Sequence, residues 1–255
     1  MEYAHIIVEE KDSIGRIVLN RPPLNVLNIA MMREINDALS SFQTKTLKAL
    51  VIKAEGKAFS AGVDVAEHTA EKVEEMIHVF HEIFKNLQGI GAPTVALVNG
   101  AALGGGCEVA SFCDIVIASE KAKFGQPEIK VGVFAPVAAA LLPKIMGSKK
   151  AIEFLLTGES LSASDARDTG LVNHVIPVEN FDAEAEQFVR EMIASKSAVV
   201  LHLTKRALLE GMHRSYSEAI KRIEALYLND LMRTSDAREG LAAFLEKRQP
   251  VWRDE

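Results

Sequence analysis

Two glutamates are the residues of this chain best placed to do chemistry: Glu108, in Leu103-Gly-Gly-Gly-Cys-Glu108, and Glu128, in Phe124-Gly-Gln-Pro-Glu128. Each is an acid set beside glycine in apolar surroundings. Val95-Ala-Leu-Val98 and Cys107-Glu-Val-Ala110 read as buried elements, and an ionised carboxylate there is costly unless it is paired, hydrogen-bonded or protonated. A single such acid could be satisfied structurally. Two of them suit a division of proton work, one taking a proton while the other gives one.

The glycines around the first acid add a second kind of chemistry. Asn99-Gly100-Ala-Ala-Leu103-Gly104-Gly105-Gly106 follows a strand and opens a helix. Backbone N–H groups at a helix start lack internal partners and have the positive end of the helix dipole behind them, so they can stabilise an oxyanion. The same glycines would equally serve a tight turn with close helix packing. A second small-residue turn, Lys57-Ala-Phe59-Ser-Ala-Gly62-Val63-Asp64, follows another strand. It could supply the partner N–H, since two converging donors bind a thioester carbonyl whose oxygen gains charge; otherwise it is a loop in which Asp64 acts as a cap.

Other chemistries lack their patterns. The glycines are not spaced as Gly-x-Gly-x-x-Gly, no Gly-Lys-Ser/Thr follows, and Gly-x-Ser-x-Gly is absent, which removes the dinucleotide fingerprint, the P-loop and the serine-hydrolase elbow. Glu75-x-x-His78 with His81 and Glu82 resembles half of a carboxylate-bridged metal site, but no second Glu-x-x-His exists, so these side chains read as a solvated polar helix face and no metal is expected. Cys107 and Cys113 read as buried free thiols in a reducing compartment rather than as a disulfide.

The 255 residues are 48% apolar and 25% charged with a net charge of −6, an ordinary composition that disfavours disorder. Scattered basic residues argue against nucleic acid as a partner. The longest apolar run, Val131 to Leu142, falls well short of the roughly twenty residues that cross a bilayer. The opening Met1-Glu-Tyr-Ala-His5 has neither the basic nor the apolar region of a secretion signal. A cytoplasmic protein without membrane association is expected.

Periodicity supplies the elements that must hold the acids. Residues 5–10 and 14–19 are β-rich runs around Lys11-Asp-Ser13, a hairpin pattern. A helix is predicted over 29–39, a strand over 47–53, a helix over 71–87, a strand over 94–98, a short helix near 106–112 and a strand over 114–118. Four helical segments follow: 183–195, 198–212, 217–232 and 237–247. This is an α/β chain with an all-helical last quarter.

Taken together, Ala92-Pro-Thr-Val-Ala-Leu-Val-Asn-Gly-Ala-Ala-Leu-Gly-Gly-Gly-Cys-Glu108, Cys113-Asp-Ile-Val and Ala122-Lys-Phe-Gly-Gln-Pro-Glu128 resemble the signature of the enoyl-CoA hydratase (crotonase) superfamily. Asn20-Arg-Pro, Phe59-Ser-Ala-Gly-Val-Asp64, Leu156-Thr-Gly158, Gly170-Leu-Val172 and the stretch from Arg238 to Arg248 extend the likeness along nearly the whole chain. The resemblance implies a spiral of ββα units over residues 1–192 and a C-terminal helical region over 193–255 used in trimer formation, with trimers often paired into hexamers. It implies a coenzyme A thioester as substrate and no separate cofactor. The backbone N–H groups of Val63 and Gly105 would form the oxyanion hole, with Glu108 holding and deprotonating water and Glu128 protonating the α-carbon, or the two in exchanged roles. Ala61, Asp64, Phe244 and Lys247 match CoA-contacting positions, the last two reaching a neighbouring subunit in relatives; helix packing and a solvated charge are the plainer readings of that pair.

Retention of both acids favours hydration over a double-bond isomerase using Glu128 alone, and over a non-catalytic CoA-binding protein. One segment departs from the common pattern. Ordinary hydratases carry a glycine-rich turn after the second acid, whereas this chain reads Gly132-Val-Phe-Ala-Pro-Val-Ala-Ala-Ala-Leu-Leu-Pro143. That run is similar to the one in cyclohexa-1,5-diene-1-carbonyl-CoA hydratases of anaerobic aromatic degradation.

Overall fold

A computed structural model describes residues 3–212 and 214–255; Met1 and Glu2 of the opening segment lie outside it. Four successive strand–strand–helix units build the first part of the chain. They are β1 (Ile6–Lys11), β2 (Ile14–Leu19) and α1 (Ile29–Gln43); β3 (Ala49–Ala54), β4 (Ala58–Ser60) and α2 (Val73–Gly89); β5 (Thr94–Val98), β6 (Ala101–Leu103) and α3 (Gly105–Phe112); and β7 (Ile115–Ser119), β8 (Lys123–Gly125) and α4 (Pro136–Ile145). Then come α5 (Ser148–Thr157), β9 (Ser160–Ser162), α6 (Ala163–Asp168) and β10 (His174–Ile176). The chain ends in helices: α7 (Phe181–Gln187) running into a π-helical stretch Phe188–Ala194, α8 (Ala198–Met212), α9 (Tyr216–Asn229) and α10 (Ser235–Glu246).

From the second unit on, the two strands of each unit part company. The first strands join a six-stranded sheet of order β1-β2-β3-β5-β7-β10, while the second strands of units two to four form a four-stranded sheet of order β4-β6-β8-β9. Only the β1–β2 hairpin and the β8–β9 pair are antiparallel. Units two to four therefore each advance both sheets by one strand, giving a spiral of ββα units.

The large sheet explains the near-continuous apolar runs. A parallel strand covered on both faces needs apolar residues at every position, and β2 and β5 are buried throughout. Alternation along β3 then sorts side chains between two cores. Leu50 and Ile52 face the main core with α1 and α2, whereas Ala49 and Val51 face a second core with Phe181, Ala185, Val189 and Ile193 of α7 and its π-helical continuation. The predicted helix 183–195 is thus two joined elements that roof the sheet. Among the described residues, no helix is long and apolar enough to cross a membrane.

One ion pair fixes that roof. Arg16 on β2 is buried, and its Nε and Nη2 donate to Glu186 of α7 at 3.2 and 2.7 Å. Burial alone would raise the Glu186 carboxyl, but the Arg16 hydrogen bonds and charge outweigh it and hold it below its ordinary value. A depressed acid stabilises the fold above its unfolded pKa, and that contribution is lost as pH falls through its folded value. Arg16→Ala should therefore cost about 2 kcal/mol near neutral pH by stranding a partly buried charge. Denaturant titrations should show the gap between wild type and variant narrowing in acid as Glu186 becomes protonated.

Candidate active site

The site forms where the loop after β4 crosses the start of α3. Leu27 makes an isolated parallel bridge with Val63: its N–H donates to Gly62 O at 2.8 Å, and Asp64 N–H donates to Leu27 O at 3.0 Å. Bonding through residues 62 and 64 turns the Val63 N–H away from Leu27. Gly62 has φ +103°, and a Cβ there would lie 3.0 Å from Leu103 O and 3.5 Å from Gly105 N. Two stretches of backbone therefore meet with no side chain between them. Neither the Val63 N–H nor the Gly105 N–H donates to another described group, and Gly105 opens α3, where the helix supplies no acceptor. The arrangement leaves two amides free to meet a carbonyl oxygen that gains charge.

The carboxylates are brought to this crossing by different elements. Glu108 lies in the first turn of α3 and is almost fully buried. Its Oε1 accepts the Ala138 N–H at 2.7 Å. Ala138 is the third residue of α4, whose first residue is Pro136, so the open end of α4 serves as a polar socket for Glu108. Burial pushes the Glu108 carboxyl up to about 7; the Ala138 hydrogen bond opposes this and the Glu128 charge adds to it. Near neutral pH such a group can hold or release a proton.

Glu128 sits in the short 3₁₀ turn Pro127–Val131. Gly104 has φ +49°, and a Cβ there would strike Glu128 Oε1 while lying 3.7 Å from Gly62 Cα. The missing side chain at Gly104 is what lets this carboxylate reach the crossing. Burial raises its pKa, its own backbone amide and His68 opposing. Its Oε2 is buried without a partner among the described residues. The Glu128 charge thus adds to the upward push on Glu108.

The other residues singled out from the sequence divide between this site and the surface. Ala61 and Asp64 flank Val63. Ala61 N–H donates to Leu24 O at 3.0 Å; Asp64 caps the 3₁₀ turn Val65–Glu67 through Ala66 N–H at 3.1 Å and lies 3.6 Å from Arg21. Phe244 is on α10 and 81% exposed, so packing within its own chain does not account for it. Lys247 ends that helix in the left-handed region with φ +56°. Glu75, His78 and Glu82 are exposed as expected, while His81 is half-buried beside Phe80 with its Nε2 unpartnered. Both cysteines are buried free thiols, pushed up to about 12 chiefly by burial, which makes them poor nucleophiles.

Several supporting residues escaped sequence reasoning. Asn25, buried with φ +51°, donates through Nδ2 to Glu55 O and Ala58 O, both at 2.9 Å. Ser60 Oγ donates to Asn25 O at 2.7 Å and accepts the Gly62 N–H at 3.2 Å. Asn25 thus braces Ser60, and Ser60 holds the Ala61–Gly62 peptide, one residue before the Val63 amide. Phe80 of α2 supports the other strand of the crossing, its ring tip 2.9 Å from where a Gly105 Cβ would lie. Gln126 is buried with both side-chain polar atoms unpartnered among the described residues. The Asn-Arg-Pro-Pro stretch marked a turn, yet nothing in spacing alone tied Asn25 to a loop 35 residues later. Ser60→Ala should lower kcat by about tenfold with little change in KM, since the hydroxyl steadies a donor rather than binding substrate. Steady-state kinetics on an enoyl-CoA substrate would check this split.

Comparison with known proteins agrees with this geometry. Residues 9–255 match the family model described as enoyl-CoA hydratase/isomerase. A probable mitochondrial enoyl-CoA hydratase of Dictyostelium discoideum is 40% identical over 254 residues, covering 96% of this chain and 89% of that protein. A cyclohexa-1,5-dienecarbonyl-CoA hydratase of Thauera aromatica is 36% identical, covering 96% and 95%. A solved enoyl-CoA hydratase subunit I structure from Geobacillus kaustophilus superposes with a TM-score of 0.91 at 32% identity over the full length of both chains. With its two paired sheets, crossed glycine loops and twin acids, the chain belongs to the enoyl-CoA hydratase/isomerase family.

Proposed function

We propose that this hydratase-type enzyme adds water across a double bond conjugated to a coenzyme A thioester, and that its substrate is a cyclic diene of the cyclohexa-1,5-diene-1-carbonyl-CoA kind. The thioester oxygen is held by the N–H groups of Val63 and Gly105. Water attacks the β-carbon as Glu108 takes its proton, and the electron pair of the double bond moves toward the thioester to form an enolate. Glu128 then protonates the α-carbon. Each amide donor contributes roughly 3–4 kcal/mol of transition-state stabilisation, and each proton transfer about 10²–10⁴-fold in rate. Coenzyme A enters as part of the substrate, and no further cofactor takes part in this scheme.

The observation that carries the choice of substrate is the hydrogen bond from Ala138 to Glu108. It brings the start of α4 against one acid, which supports a reading in which the apolar residues just before that helix, Val133, Phe134 and Ala135, face the substrate ring. Val133 and Phe134 are exposed in the protomer, the latter by 72%, which leaves apolar surface for a ring to cover. The likeness to the Thauera aromatica dienoyl-CoA hydratase supports the same reading. Retention of a buried, socketed Glu108 favours water addition over isomerisation, which needs only Glu128.

Residues 193–255 are assigned to subunit contact in a homotrimer or homohexamer. The exposed Leu241, Phe244 and Leu245 of α10 offer apolar surface for it. Phe244 and Lys247 are assigned to the CoA of an adjoining protomer, with Ala61 and Asp64 on the CoA side of the oxyanion loop.

The test compares crotonyl-CoA with cyclohexa-1,5-diene-1-carbonyl-CoA, with products identified by mass. Rapid hydration of the diene and slow hydration of crotonyl-CoA is expected; the reverse preference would make the altered segment a packing variant. Glu108→Gln and Glu128→Gln should each lower kcat by about 10²-fold or more with acyl-CoA affinity nearly unchanged. Because Glu108 is raised to about 7 by burial, kcat/KM should fall below that pH as the base becomes protonated.

A further inference from the structure

The segment that carries the Val63 amide is held to its neighbour by a third bond, and a side chain makes it. Leu27 and Ile29 are both buried in the main core, and Asn28 between them is extended, with φ −90° and ψ 167°. The N–H groups of Leu27 and Ile29 therefore point to the same side, toward the chain that runs through Val63. A parallel ladder that begins with Leu27 N–H to Gly62 O and Asp64 N–H to Leu27 O would set its next rung between Ile29 N–H and Asp64 O. The chain turns away before that rung can form, and Asp64 O instead accepts the Glu67 N–H at 3.0 Å inside the 3₁₀ turn. Glu67 supplies the missing acceptor: its Oε2 takes the Ile29 N–H at 2.7 Å.

We propose that Glu67 is a positioning residue for the Val63 amide: its carboxylate replaces the third rung of this ladder and so fixes the direction in which the Val63 N–H meets the thioester oxygen. This rests on the reading above that Val63 forms part of the oxyanion hole.

The surroundings leave that task to Glu67. Ile29 is the first residue of α1, so its N–H has no acceptor within the helix, and the Asn28 side chain is used by Met31 N–H at 3.0 Å. The turn Val65–His68 is otherwise bonded to itself and to Asp64: Ala66 N–H donates to Asp64 Oδ1 at 3.1 Å, His68 N–H to Val65 O at 3.1 Å, and His68 Nδ1 lies 3.1 Å from Asp64 O. Among the described residues, the bond from Ile29 to Glu67 is the one hydrogen bond that ties this turn to the rest of the fold. The Asp64–Arg21 pair, at 3.6 Å, is longer than a hydrogen bond. Upstream of Val63 the chain stays fixed through Ala61 N–H and Leu24 O. Downstream, with Glu67 released, the last hydrogen bond is that of Asp64 N–H to Leu27 O, and the turn can swivel about it. A misaimed donor loses much of its hold on a developing oxyanion.

The test sets reach against charge. Glu67→Gln keeps an acceptor oxygen at the same reach and removes the charge; Glu67→Asp keeps the charge near the start of α1 but is one methylene short; Glu67→Ala removes both. The Val63 amide is read directly, in ¹⁵N-valine-labelled protein titrated with butyryl-CoA, a saturated thioester. Its proton resonance should move downfield on binding in wild type and in Glu67→Gln, and clearly less in Glu67→Asp and Glu67→Ala. On the better of the two enoyl-CoA substrates, kcat should fall about tenfold in the aspartate and alanine variants with KM little changed, and stay within about twofold of wild type in the glutamine variant. A charge that merely stabilises the helix start would rank aspartate above glutamine; that order, or equal Val63 shifts in all four proteins, would overturn the proposal. A wild-type Val63 resonance that butyryl-CoA leaves in place would refute the oxyanion reading, and the proposal with it. Ordered Val63 shifts in a protein that hydrates neither substrate would uphold the positioning while refuting the reaction.

Discussion

The site depends on one close approach of backbone to backbone, at Gly62 and Gly104. Both glycines sit at positive φ, and a Cβ on either would meet main chain or the Glu128 carboxylate. Because they approach so closely, the Val63 and Gly105 amides can share a target, and the second acid can reach it. The surrounding hydrogen bonds maintain that approach from outside: Leu27 bridges Val63, and Asn25 and Ser60 grip the peptide before it. The short strands β4, β6 and β8 register the two loops against each other, with Gly104 N–H donating to Gly125 O at 2.8 Å. The small sheet exists to hold this crossing, and the large sheet with its two cores gives it a rigid base.

A second dependency joins acid strength to substrate shape. Glu108 is buried deeply enough to be pushed up to about 7, yet it keeps a hydrogen bond from the open end of α4. Without that socket the buried carboxylate would be costlier to ionise. Val133, Phe134 and Ala135 lead directly into that helix start. A change in this segment therefore alters the field felt by Glu108 and, in the proposed reading, the wall facing the substrate. A glycine-rich turn and an apolar one are not equivalent here, since proline at the first position of α4 fixes the direction in which its free amides point.

Much of this was legible in the sequence because the chemistry and the packing use the same residues. The apolar runs of β2, β3 and β5 were legible as strands of an α/β chain, and the predicted segments 14–19, 94–98 and 198–212 coincide with the observed elements. Glu108 and Glu128 stood out as acids in apolar company, and the structure brings both to the crossing. What stayed hidden was short or nonlocal. The strands β4, β6, β8 and β9 have three residues each, too few to show alternation, and they are stabilised by neighbours distant in sequence. The helices α4 to α6 were not separated from the loops around them: the apolar run from Val131 gave length but no period. Asn25 and Ser60 act through hydrogen bonds to backbone far away in the sequence, which leave no periodic trace.

In the proposed mechanism two unpaired amides polarise a thioester carbonyl before any proton moves. The most direct measurement is the infrared difference spectrum of a saturated, unreactive acyl-CoA carrying ¹³C at the thioester carbonyl, bound to the enzyme. A clear shift of that stretch to lower frequency is expected on binding, reduced in the Ser60→Ala protein, in which the Gly62 N–H loses its acceptor. A bound thioester whose carbonyl stretch matches its value in water would contradict it, because the Val63 and Gly105 amides would then not be meeting the oxygen they are assigned to hold.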